Sequence, residues 1–138
     1  IGRRWTMFSF GLIGAAGAVI VALSAHWETS WIIFFTGICI TMGFGDGAFG
    51  ILNAFGGEQF PNDARGTGLG LGYGIGAIAK IIGPLLMGAM IGSDNLKELA
   101  HPLGAVFPAF LFFAAMLVLG GFVYLLARET KGEVLEDI

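Results

Sequence analysis

Formal charge is scarce in this chain of 138 residues: Lys, Arg, Asp and Glu together make up 12% of it, and the net charge is -3. With 56% hydrophobic residues and a mean hydropathy of +0.83, the chain has too few polar residues to coat a soluble domain. It also has no basic patch, so we expect no nucleic-acid partner. The composition therefore predicts a protein whose main partner is the lipid bilayer.

Groups for covalent or metal chemistry are also scarce. Cys39 is the single cysteine, so it cannot form an internal disulfide, and its apolar surroundings predict a packing residue. His26 and His101 lie at the ends of apolar runs, with no second His or Cys nearby. No Ser/His or Cys/His pair lies at membrane depth. We therefore predict that the chain is not an enzyme and has no metal site and no cofactor.

Long apolar stretches, separated by short charged joints, make up most of the chain. A hydrocarbon layer of about 30 Å takes roughly 20 apolar residues of helix to cross. Four stretches are long enough, and they predict an all-α, polytopic transmembrane bundle that forms a single unit over residues 1–138. The predicted spans are about 5–27, 31–56, 66–92 and 102–127.

The positive charges predict how the bundle is oriented. If the N-terminus is cytoplasmic, four crossings return the C-terminus to the same side, and Lys97 is the one basic residue on the outer side. The basic residues that then face inward are Arg3, Arg4, Arg65, Arg128 and Lys131. We therefore expect an integral protein of the plasma (inner) membrane with both termini in the cytoplasm.

Glycine is abundant, with 24 residues, and it is densest at the start of the third predicted span. The run from Gly66 to Gly76 lacks the preceding strand and the partner residues of a nucleotide-binding loop. On a helix, Gly70 and Gly74 share one face, which predicts close helix packing, and Gly83-Pro84 predicts a kink or hinge. A second glycine-rich region, 43–50, predicts a soft point in the second span.

Two charges lie inside predicted spans: Asp46 and Lys80. A charge at the bilayer centre costs about 2.5–3.5 kcal/mol on insertion scales, so each should face a polar cavity or a partner. At about 1.5 Å per residue, Asp46 lies roughly 22 Å below Trp31 and Lys80 roughly 18 Å below Gly92, so their depths nearly match. One hypothesis is a permanent neutralising pair. The other is that Lys80 attracts a substrate anion while Asp46 takes up a coupling proton.

Asn53, a polar residue in the same span as Asp46, is the third candidate for contact with substrate or protons.

Three charged motifs lie on the predicted cytoplasmic side. Gly2-Arg3-Arg4 resembles the end of the D-x-x-G-R-R loop that precedes helix 9 of major facilitator superfamily transporters. The segment from Glu58 to Arg65 resembles their E-x-F-P-T-x-x-R-G loop between helices 10 and 11, with Asn62 in place of Thr. The segment from Glu129 to Leu135 resembles the E-T-K-G-x-x-L-E tail after helix 12. The chain thus resembles helices 9 to 12 of this superfamily.

That resemblance implies part of a twelve-helix secondary transporter that works by alternating access, with the remaining helices of the same transporter as partners. It implies a cytoplasmic gating motif formed by Arg3, Arg4, Glu58, Arg65 and Glu129. The implied substrate is a small metabolite, with an organic anion favoured and proton symport expected. Two alternatives stay open. One is a sugar porter, against which Arg128 counts because sugar porters often have Pro there. The other is a small four-helix structural or assembly subunit.

Overall fold

The computed structural model describes residues 2–91 and 106–130, and every regular element in this part of the chain is helical. There are five α-helices: α1 (Arg3–His26), α2 (Trp31–Ile40), α3 (Phe49–Gly57), α4 (Arg65–Ile91) and α5 (Phe107–Leu126). The outer joint with Lys97 and His101, and the tail from Lys131 onward, lie outside the described residues.

Within the described residues, four helical segments are long and apolar enough to cross a membrane: Arg3–His26, Trp31–Gly57, Arg65–Ile91 and Phe107–Leu126. The prediction of an all-α bundle with four spans is therefore confirmed. The second segment contains both α2 and α3, and it is not a regular α-helix throughout.

The second span changes its helical form in the middle. A π-helical turn, Thr41–Gly45, and a 3₁₀ turn, Asp46–Ala48, separate α2 from α3. This stretch overlaps the glycine-rich region 43–50, where the sequence predicts a soft point. Such π turns within a helix are rare and occur frequently at functional sites.

The bundle core lies between α1 and α5. Ala15 and Ala18 of α1 and Ala114 of α5 are buried at its centre, and larger apolar side chains of α5, Phe110, Phe113 and Leu117, pack around them. Small residues on both helices let the two axes approach closely, which is how membrane helices gain packing contacts without a hydrophobic driving force.

Helix α2 packs on α1 through glycines that lie directly against backbone atoms of the other segment. A Cβ atom built on Gly17 would lie 2.7 Å from the backbone nitrogen of Thr41, and one on Gly37 would lie 3.0 Å from the carbonyl oxygen of Gly17. The Thr41 hydroxyl donates to the carbonyl oxygen of Gly37 at 2.9 Å and lies 3.4 Å from that of Gly14. These contacts place the π turn directly against α1.

Helix α4 is the least embedded helix in the described structure. It has no buried residue, and it contacts both α5 and α3, to which the loop 58–64 connects it. Helix α4 therefore packs more loosely on the rest of the described bundle than α1 does.

Candidate functional site

A cavity of about 560 Å³ lies between α3 and α4. Asn53, Tyr73 and Lys80 line it and are exposed, so it is a cleft open on one side. Most of the remaining lining is aromatic, aliphatic or glycine. We call this cavity the α3–α4 cleft. A mostly apolar pocket with a few convergent polar groups is the usual form of a small-molecule site.

Lys80 is the cationic side chain in the lining of the α3–α4 cleft. Its ammonium nitrogen lies 5.9 Å from the centre of the Tyr73 ring, seven residues earlier on α4. Side chains on a helix point toward its N-terminus, so the lysine stem runs back along α4 toward Tyr73. A cation at this distance from an aromatic face is attracted by the ring quadrupole.

Asn53 lines the same cleft from the opposite wall, on α3. The structure thus brings together two of the three residues that the sequence predicts for substrate or proton contact. Their amide and ammonium groups supply hydrogen-bond donors, the amide oxygen supplies an acceptor, and the positive charge favours an anion.

Asp46 does not line the α3–α4 cleft. It begins the 3₁₀ turn of the second span and is exposed, and within residues 2–91 and 106–130 no ion pair joins it to Lys80. The hypothesis of a permanent Asp46–Lys80 pair therefore finds no such contact here. In the same residues no cluster of three His, Cys, Asp or Glu could hold a metal ion.

The charged motif residues meet at one end of the bundle, which is its predicted cytoplasmic end. Arg3 forms an ion pair with Glu58, which is 12% exposed, while the guanidinium of Arg4 approaches the carboxylate of Glu129 at 3.9 Å. The backbone N–H of Arg3 donates to Oε1 of Glu129 at 2.9 Å. The N-terminus of α1 is therefore tied both to the end of α3 and to the chain after α5. We call the charged residues Arg3, Arg4, Glu58 and Glu129, together with the side chains that bond to them or beside them, the end cluster.

Gly2 leaves room for this arrangement. A Cβ atom at Gly2 would overlap the carboxylate of Glu129, with Cδ of that residue 2.7 Å away. The glycine of the Gly-Arg-Arg motif therefore lets the carboxylate reach the start of α1.

Arg65, the first residue of α4, is not part of these ion pairs and bonds within the loop between α3 and α4. Its Nε donates to the carbonyl oxygen of Gly57 at 2.8 Å, which joins the start of α4 to the end of α3. Four of the five predicted motif residues thus meet directly, while Arg65 closes the adjacent loop.

Sequence reasoning missed two side chains of the end cluster. Gln59 bonds the backbone of Arg128 twice: its amide donates to the carbonyl oxygen at 2.9 Å, and its side-chain oxygen accepts from the N–H at 3.0 Å. Thr130, which is 3% exposed, donates its hydroxyl hydrogen to Glu58. Both residues are adjacent to predicted motif acids, Glu58 and Glu129, and that adjacency was the available signal.

The glycines that the sequence predicts for packing are open in the described structure. A Cβ atom at Gly70, Gly74 or Gly83 would meet nothing within 4 Å. Pro84 lies inside α4, which continues as one helix to Ile91. The glycines in close contact with backbone atoms, such as Gly17 and Gly37, lie on α1 and α2, and a glycine of α4 in close contact, Gly68, meets a side chain from the loop instead. A role of Gly70, Gly74, Gly83 and Pro84 in packing or as a hinge stays a prediction.

Curated relatives of this chain are bacterial and animal transporters. It is 30% identical over 135 residues to the putative niacin/nicotinamide transporter NiaP of Bacillus subtilis, which covers 98% of this chain and 31% of that protein. It is 29% identical to the niacin transporter NiaP of Acinetobacter baylyi, over 100% of this chain and 29% of that protein. It is also 29% identical to the beta-alanine transporter of Drosophila melanogaster, over 94% of this chain and 18% of that protein.

The chain spans less than a third of the length of these relatives. No solved structure matches it significantly. The family model that matches, over residues 1–137, is that of the Major Facilitator Superfamily. The motifs at the three charged joints predict the same family, and that prediction is confirmed: the chain belongs to the Major Facilitator Superfamily.

Proposed function

We propose that this chain is part of a secondary active carrier that moves a small organic anion across a membrane by alternating access, coupled to protons. The observation that carries the proposal is the α3–α4 cleft, an apolar cavity whose lining contains the cation Lys80 and the amide Asn53. Family membership supports a carrier rather than an enzyme.

The charge of the cleft favours a carboxylate over a neutral solute. A cation at membrane depth without an anion is costly, so a substrate carboxylate beside Lys80 is stabilised by charge and by the low polarity of the walls. Among the solutes for which the relatives are named, niacin and beta-alanine are small carboxylates, whereas nicotinamide is a neutral amide. A sugar would instead need many hydrogen-bonding side chains, whereas this lining is mostly apolar.

The proposed end-cluster role is that of a gate at the cytoplasmic face. The ion pairs Arg3–Glu58 and Arg4–Glu129 tie three chain segments together when this end is closed. A gate of this kind must break and reform during alternating access, so partly exposed ion pairs of small net energy suit it.

The test is uptake of radiolabelled niacin, beta-alanine and glucose by the complete gene product in proteoliposomes. We expect a carboxylate to be taken up in preference to glucose, because its charge matches Lys80. Lys80→Ala should weaken carboxylate binding about tenfold to a hundredfold, the effect of losing one charge-assisted bond of roughly 1.5–3 kcal/mol, and uptake at low substrate concentration should fall accordingly.

Lys80→Arg is the matched control, because it keeps the positive charge at the same place on α4. It should retain part of the carboxylate uptake. Glucose uptake that exceeds uptake of both carboxylates would favour the sugar-porter alternative. Absence of uptake for every solute, with normal insertion of the protein, would favour a structural subunit.

A further inference from the structure

Phe60, from the loop between α3 and α4, has its ring pressed against the backbone of α4. A Cβ atom at Gly68 would lie 2.6 Å from both Cγ and Cδ1 of Phe60, closer than real Cβ atoms come to other atoms. Both residues line the α3–α4 cleft. The ring therefore occupies the space that any side chain at position 68 would need, and it closes the loop end of the cleft.

The chain on both sides of Phe60 is held in place. Gln59 is bonded twice to the backbone of Arg128, at 2.9 and 3.0 Å. On the other side Pro61 fixes its own backbone torsion, and its carbonyl oxygen accepts from the N–H of Ala64 at 3.0 Å. With its neighbours fixed in this way, the ring closes the loop end of the cleft at a defined position.

The polar groups of the cleft lie a short distance from the Phe60 ring, along the helices away from the loop. Tyr73, whose ring is near the Lys80 ammonium, is five residues beyond Gly68, which is about 7.5 Å along a helix. On the other side of the cleft, Gly56 packs near Leu69, and Asn53 is three residues, or about 4.5 Å, further from the loop. Tyr73 and Asn53 thus lie within about one to one and a half helical turns of the loop end that Phe60 closes.

We propose that Phe60 is the floor of the α3–α4 cleft and determines which carboxylates it accepts by their length. A carboxylate with one ring places its charge at Lys80 and Asn53 and its ring against Phe60. One with a longer apolar body can contact Phe60 and the polar groups together only by bending toward the open side of the cleft, so it binds more weakly. This inference rests on the proposed function, since it assumes that the cleft holds the substrate.

The test compares carboxylates of increasing length on the complete gene product in proteoliposomes. Benzoate, 3-phenylpropanoate and 5-phenylpentanoate are used as competitors of radiolabelled benzoate. In the parent, affinity should fall with length. In Phe60→Ala the longer two should gain roughly tenfold relative to benzoate, in the range by which one or more methylene groups are discriminated in apolar pockets.

Gly68→Ala provides a second, independent variant. Its new methyl group collides with the Phe60 ring and pushes it into the cleft, so benzoate affinity should fall. The double variant Phe60→Ala, Gly68→Ala removes the collision and should recover benzoate binding, which a folding defect of Gly68→Ala would not allow. Gly70→Ala is the matched control, because a Cβ there meets nothing within 4 Å, and it should behave as the parent.

Two failures are distinguishable. If benzoate binding depends on Lys80 but Phe60→Ala leaves the length ranking unchanged, Phe60 is not the floor, and the proposed function stands. If no carboxylate competes, or competition persists in Lys80→Ala, the cleft is not the anion site, and both proposals are wrong.

Discussion

At the residue scale, the two membrane-embedded charges have different surroundings. Lys80 lies in the α3–α4 cleft near Tyr73, whereas Asp46 is exposed in the 3₁₀ turn of the second span. The sequence predicts that both need polar surroundings, because charge is costly in lipid. It cannot predict which of them enters the cleft with Asn53, since that depends on how each helix is rotated about its axis.

Separate locations allow separate functions, and the first prediction concerns Asp46. Asp46→Asn should keep substrate exchange, because the anion site at Lys80 is intact, but should lose accumulation driven by a proton gradient. Asp46→Glu, which keeps a titratable group, is the control and should retain some accumulation. The measurement is exchange and gradient-driven uptake of the same labelled carboxylate in proteoliposomes. Normal proton-driven accumulation by the double variant Asp46→Asn, Lys80→Ala would contradict this mechanism.

At the element scale, the second span is joined to α1 at the point where its helix changes form. Gly17 lies against the backbone of Thr41, at the start of the π turn, and Gly14 lies against Gly45 at its end, where a Cβ would be 2.9 Å from the glycine Cα. The four spans themselves were predictable, because the length of an apolar run is a local property of sequence. Close contacts such as these were not, since the glycines of α1 and α2 look no different from the open ones of α4.

The second prediction follows from this contact. Gly17→Ala should lower stability by about 1–3 kcal/mol, the usual cost of overpacking, because its methyl group would meet backbone atoms that cannot turn aside. Gly43→Ala, in the π turn but with nothing within 4 Å of its Cβ, should change stability little. Thermal unfolding of the two purified variants in detergent compares them. Equal midpoints would show that α1 and α2 separate without cost at this point.

At the scale of the whole molecule, the end cluster joins parts of the chain that are far apart in sequence. Arg3, Glu58 and Thr130 come from three different segments and form one connected group. The motifs predicted the four charges that meet here, and they also predicted Arg65, which bonds within its own loop instead. The backbone bonds of Gln59 were beyond prediction, because an amide that binds main-chain atoms leaves no pattern of complementary side chains.

The third prediction concerns the energy of this group. The Arg3 side chain of this group is 40% exposed, and ion pairs that reach solvent are typically worth up to about 1 kcal/mol. Breaking the Arg3–Glu58 pair should therefore shift an open–closed equilibrium by up to about fivefold without unfolding the protein. In a Cys39→Ser background, Glu58→Gln should therefore raise the rate at which a membrane-impermeant maleimide labels Asn53→Cys from the inner side. Asp63→Asn removes an exposed acid from the same loop and should leave the rate unchanged. Equal rates in the two variants would mean that Glu58 holds no gate.

Helix α4 has a low intrinsic helix propensity in water. It contains eight glycines and a proline within 27 residues, and each interior glycine costs a helix about 1 kcal/mol relative to alanine in aqueous peptides. In hydrocarbon an unpaired backbone N–H or C=O costs several kcal/mol, so the same segment must stay hydrogen-bonded along its length. The bilayer therefore stabilises α4 as a helix: the surrounding hydrocarbon, more than the side chains, keeps one wall of the cleft helical.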